Sequence, residues 1–115
     1  MPHFMLKLKY SQESIKGLIA HPQDRRHAAE AALASVGARL RDLYFAFGDA
    51  DVIITYEAPD AASAASLAMT LGASGAASSA ETVALLTMEE AMEAMKKSAK
   101  TLKGYKPPSA KAASK

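Results

Sequence analysis

Cysteine and tryptophan are both missing from these 115 residues. Without cysteine the chain has no disulfide, no thiolate nucleophile and no cysteine-ligated zinc, and it suits a reducing compartment, so a cytoplasmic protein is expected. With no Trp, three Phe and four Tyr, much of the 50% apolar content is alanine, which predicts a thin core with closely packed helices. Histidine is scarce too. His3, His21 and His27 form no HxH or HExxH pattern and no cluster with carboxylates at ligand spacing, so no metal and no cofactor are expected. Long apolar runs are also lacking: Lys7 and Lys9 break up the first one, and no segment reaches the roughly 20 apolar residues of a membrane helix.

Charge is present, but unevenly. The formal net charge of +2 divides into residues 1–95, with 7 basic and 12 acidic side chains, and a C-terminal stretch whose seven lysines all follow the last acid, Glu93. Those lysines would neutralise phosphates without sequence preference, but only Tyr105 interleaves with them and no reading motif accompanies them, so no specific nucleic-acid partner is expected. After Gly104 the sequence KPPSAKAASK has nothing to bury, which predicts one domain over 1–103 and a basic, disordered tail over 104–115.

Alternation and punctuation divide the domain into elements. Phe4, Leu6, Leu8 and Tyr10 alternate with Met5, Lys7 and Lys9 as in a half-buried strand. Ser11 then suits a helix N-cap ahead of Ile15, Leu18 and Ile19. His21-Pro22 interrupts that helix, and from about residue 23 a stripe of Ala29, Leu33 and Val36 resumes it until Gly37. Residues 38–47 and 51–57 read as two strands joined by Gly48-Asp49-Ala50 in a hairpin. Pro59 ends the second strand, Asp60 caps a helix carrying Ala64, Leu67, Ala68 and Leu71, and Gly72 is its expected stop. A further strand carries Val83 and Leu85, and Thr87-Met88-Glu89-Glu90 is a capping box opening a last helix with Met88, Met92, Met95, Ala99 and Leu102 on one side.

Strand, helix, strand, strand, helix, strand plus a C-terminal helix is the split βαβ order of α+β, ferredoxin-like folds, with a four-stranded antiparallel sheet. Right-handed crossovers place both central helices on one face. On the other face the sequence puts Met5, Tyr44 and Ile53, so both sides read as apolar. That predicts a homodimer, or a higher homo-oligomer, covering the open sheet face with a second copy.

Over residues 2–108 the chain resembles the GYD-domain proteins of bacteria, grouped with the dimeric α/β-barrel superfamily. The resemblance runs through KLKYSQESIKGL, RRHAAEAALASVGARL, LYFAFGDADVIITYEAPD and LLTMEEAMEAMKK. Gly48 and Asp51 stand at the signature glycine and aspartate, and Ala50 takes the place of the tyrosine. The resemblance implies the ferredoxin-like fold and an oligomeric habit, with no settled activity.

Candidate site residues follow from chemistry and position. Tyr44 and Tyr56 are amphipathic groups on the hairpin strands, suited to line a pocket for a small-molecule ligand. Asp51 stands at the head of a strand, either as a base or acceptor or, with Asp49, as an ordinary turn former. Arg26 and His27, with Arg25 beside them in an RRH run, begin a helical stretch where an anion would meet free amides, against the plainer reading of a solvated helix face. Two further readings are enzymatic. Pro2, exposed after removal of Met1, would match the N-terminal base of tautomerases. A cofactor-free or haem-type enzyme is the other, but the chain has neither the Trp nor the Asn of haem-degrading superfamily members. A small-molecule binding or sensing module is the favoured reading.

Overall fold

The computed structural model describes residues 1–108. Two compact units make up the chain, Met1–Leu85 and the residues from Leu86 on.

In the first unit the order is β1 (His3–Tyr10), α1 (Gln12–Ala20), α2 (Arg26–Ala34), β2 (Arg39–Phe45), β3 (Val52–Glu57), α3 (Ala61–Ala73) and β4 (Ala77–Leu85). The strands form one antiparallel sheet in the order β2-β3-β1-β4. This is the α+β ferredoxin-like arrangement, with the two strands that start each half at the centre.

Period-two alternation sets the core. Phe4, Leu6 and Leu8 of β1 and Val52, Ile54 and Tyr56 of β3 are all buried on the helix side, joined by Leu33, Ala64 and Leu67 from α2 and α3. Phe4 and Tyr56 pair across the strands and stack with ring centroids 5.6 Å apart. Burying side chains of this size contributes roughly 1.5–3 kcal/mol each. Leu40 and Leu43 reach the same side although three residues apart, because a bulge at Arg41 inserts one extra residue between the Leu40–Tyr56 and Asp42–Thr55 pairs.

Local chemistry fixes the boundaries. Ser11 accepts a hydrogen bond from the Ser14 amide, and Asp60 from the Ser63 amide, so both helices start at their expected caps. Gly37 lies at φ 74°, the left-handed conformation that turns the chain from α2 into β2. Some boundaries differ from expectation. α2 begins at Arg26 rather than near residue 23, because the Asp24 carboxylate takes the Arg26 amide at 2.9 Å and holds the preceding residues in a turn. β2 stops at Phe45, where the Ala46 amide bonds the Asp51 carbonyl at 2.7 Å and closes the hairpin loop, leaving Phe47 almost wholly exposed. α3 runs through Gly72, and the left-handed residue after it is Gly75, at φ 78°.

The open sheet face departs from the uniformly apolar surface expected. By register its rows read Tyr44, Ile53, Lys7, Glu81, then Asp42, Thr55, Met5, Val83, then Arg39, Glu57, His3, Leu85. Aliphatic groups thus alternate with charges, and Lys7 lies 3.8 Å from Glu81.

The second unit contains α4 (Met88–Gly104), opened by the expected capping box: the Thr87 hydroxyl accepts from the Glu90 amide while the Glu90 side chain accepts from the Thr87 amide. Met88, Met92, Met95 and Leu102 are all exposed on it. Gly104 is the last helical residue, 105–108 carry no regular structure, and the rest of the expected tail, 109–115, lies outside the described residues.

Candidate functional site

Between the helix side of the sheet and the inner faces of α1, α2 and α3 lies a cavity of about 840 Å³. It exists because α1 sits loosely. No residue of α1 is buried, and Ile19 is 74% exposed, whereas α3 seats Ala64 and Leu67 against the sheet. Ile15 and Leu18 of α1 and Ala29 and Leu33 of α2 face Leu6, Leu8 and Ile54 of the strands across this space. The cavity is large enough to enclose a drug-sized molecule.

Polar groups are few. Tyr56 lines the cavity at 1% exposure, and its hydroxyl is buried with no hydrogen-bond partner among the described residues. Desolvation raises its pKa above 10.0, so the phenol keeps its proton at neutral pH. Tyr10 and Phe45 also line the cavity and stack on each other at 6.3 Å. Asp24, Arg25 and Arg26 supply the charged side chains. Arg26 is paired with Asp24 at 3.2 Å, and Arg25 donates to Gln23 at 3.0 Å.

Of the five residues singled out from the sequence, Tyr56 and Arg26 line this cavity, Tyr44 borders it from the edge strand β2 although it stands on the open-face parity and is 67% exposed, and Asp51 and His27 do not line it. Asp51 is instead tied into the backbone. Its carboxylate accepts the Tyr10 amide at 2.9 Å, its own amide donates to the Leu8 carbonyl at 2.8 Å, and Lys9 Nζ lies 4.0 Å away. It therefore fastens the end of β1 to the head of β3. Asp49 is exposed, and Gly48 takes a positive φ of 157° in the loop. His27 projects into solvent 3.6 Å from Glu30. Pro2 is exposed and uses its carbonyl to accept the Ala58 amide at 3.1 Å. Among the described residues no group of three or more His, Asp or Glu is placed to hold a metal, and no helix is long and apolar enough to cross a membrane.

Sequence reasoning passed over Tyr10 as a site residue, whereas Arg25 belongs to the Arg25-Arg26-His27 run weighed there as an anion site. Tyr10 continues the buried parity of β1, and a tyrosine at the end of an otherwise aliphatic alternation was the available signal.

A second polar cluster lies at the other end of the hairpin. Glu57, almost buried, is held by Arg41 at 2.6 Å and Arg39 at 3.7 Å. The hydrogen bond from Arg41 lowers its pKa below 4.5 against the opposing effect of burial, and the charges of Arg41, Arg39 and His3 add to it.

The GYD domain model matches residues 4–95, which takes in β1 from Phe4 on, the other three strands and the first half of α4. The chain belongs to the GYD domain family. No curated protein matches it. Among solved structures the GYD domain is similar to the crystal structure of MtbAldR, with a TM-score of 0.52 and 16% identity over 75% of this chain. The match spans 52% of that protein, about half its length, and at this identity shows a shared fold. In this GYD domain Asp51 is the residue that clamps β1 to β3.

Proposed function

We propose that this GYD domain is a small-molecule binding module that encloses its ligand between the sheet and α1–α3, and that it works as a homo-oligomer. One observation carries the binding reading: a cavity of about 840 Å³, walled mainly by aliphatic side chains, lies between the sheet and α1–α3. An apolar pocket with few polar groups is the usual form of a ligand site. The fold likeness to MtbAldR is compatible with this reading and adds no ligand to it.

Met5, Ile53, Val83, Tyr44 and Leu85 on the open sheet face support the oligomer. The charges between them are partly paired within the chain, Lys7 with Glu81 and Glu57 with Arg41, so a second copy could cover this face with few unpaired charges. Native mass spectrometry of freshly purified protein tests both parts. The expected spectrum shows an even-numbered assembly with a bound small molecule. A ligand-free monomer that no metabolite stabilises in a thermal-shift screen would remove the proposal. A ligand-bound monomer would remove the oligomer alone.

A further inference from the structure

We infer that the cavity takes an aliphatic chain ending in one carboxylate, with the chain among the apolar walls and the carboxylate at the guanidinium of Arg25. This rests on the reading of the cavity as a ligand site and specifies the class of its ligand.

The lining divides by polarity. Leu6, Leu8, Ile15, Leu18 and Leu33 offer a ligand only dispersion contacts and removal of apolar surface from water. Every charged side chain of the lining comes from one short stretch, Asp24, Arg25 and Arg26, where α1 gives way to α2. A molecule that fits both parts carries its ionic group at one end and carbon over the rest of its length.

The sign of that group follows from the pairing. The Asp24 carboxylate accepts the Arg26 amide at 2.9 Å and Arg26 Nη1 at 3.2 Å, so these two side chains offset each other. Arg25 has no such counter-ion. Its Nη1 donates to the neutral amide oxygen of Gln23 at 3.0 Å, and among the described residues its remaining N–H groups meet no acceptor. One carboxylate against two guanidiniums leaves a single positive charge on the lining, which suits a monoanion and disfavours a cation. The planar fork of a guanidinium takes both oxygens of a carboxylate at once. Because Arg25 is exposed, the carboxylate stays at the water-facing end of the cavity and avoids the cost of burying an ion, while the chain leaves water.

Displacement of the fluorescent apolar probe N-phenylnaphthylamine tests the inference with decanoate, decanol and decyltrimethylammonium as competitors; where the probe does not bind, the rise each competitor gives in the thermal midpoint ranks them. In the unmodified protein decanoate is expected to compete at least as well as decanol, although its head group is harder to desolvate, and the cation is expected to compete least. Arg25→Gln removes the charge and keeps a polar side chain. It is expected to weaken decanoate about fivefold, the worth of a well-formed forked pair that water still reaches, and to leave decanol unchanged. Arg25 is exposed and its side chain bonds only Gln23, so without ligand the variant should unfold at the midpoint of the unmodified protein. Decanol or decyltrimethylammonium competing best in the unmodified protein, a decanoate affinity that Arg25→Gln leaves unchanged, or a loss that decanol shares equally overturns the inference and leaves the ligand site standing. If the probe does not bind and none of the three raises the thermal midpoint, the ligand site itself is overturned, and this inference with it.

Discussion

The two faces of the sheet are built from the same strands and obey different rules. On the helix side the central rows are apolar, with Val52 beside Leu8, Ile54 beside Leu6 and Tyr56 beside Phe4, all buried. On the open side the matching rows pair Ile53 with Lys7, Thr55 with Met5 and Glu57 with His3, most of them only half-buried. The contrast separates what holds one subunit together from what suits it to company. Stability resides on the helix side, and the open side is too polar for a protein interior but carries enough aliphatic surface for an interface between folded copies.

The sharpest way to break this comparison is to truncate one buried residue of the helix side. Leu6→Ala, at a position 4% exposed, is expected to cost about 2–5 kcal/mol of unfolding free energy in urea titrations. A loss well under 1 kcal/mol would mean that the cavity has left Leu6 poorly packed. A smaller effect is expected where the faces meet at the strand ends. Asp51→Ala strands the Tyr10 amide and should cost about 1–2 kcal/mol, whereas Asp51→Asn keeps an acceptor there and should cost less; the same denaturation series reads both. The smallest effect belongs to the open face and appears as a dependence on pH. Glu57 titrates below its ordinary value of 4.5 in the folded protein. Between the folded value and 4.5 the unfolded chain therefore binds more protons, and the stabilisation is complete above that window and lost as pH falls through it. Urea midpoints followed downward from about pH 6 should fall less steeply in Glu57→Gln than in the unmodified protein.

Much of the fold was legible because single residues settle local choices. Ser11, Asp60 and Thr87 each offer the side-chain oxygen that a helix start requires, and the alternations of β1 and β3 leave one choice of buried face. What escaped depends on competition between neighbours. Gly72 and Gly75 both suit a helix end, and α3 continues past the first because Ala73 and Ser74 still accept helical geometry. The charge alternation of the open face was in the sequence all along, but aliphatic and charged residues take their rows only once the register is known. The site was partly legible: an amphipathic residue such as Tyr56, on the buried parity of a strand, already raises the question of what its hydroxyl meets. The cavity was not, because its volume is the residue of how closely α1 settles on the sheet, and propensity does not encode that distance.

The extra residue at Arg41 bears on how these molecules behave when crowded. β2 forms one margin of the sheet, and the bulge at Arg41, close to Arg39, twists and charges a rim that would otherwise accept a strand from another chain. The opposite margin, β4, is mostly small residues, Ala77 to Ala80, with Glu81 its single charge. Unwanted strand addition between molecules, the first step toward fibrous aggregates, therefore has its easier opening along β4.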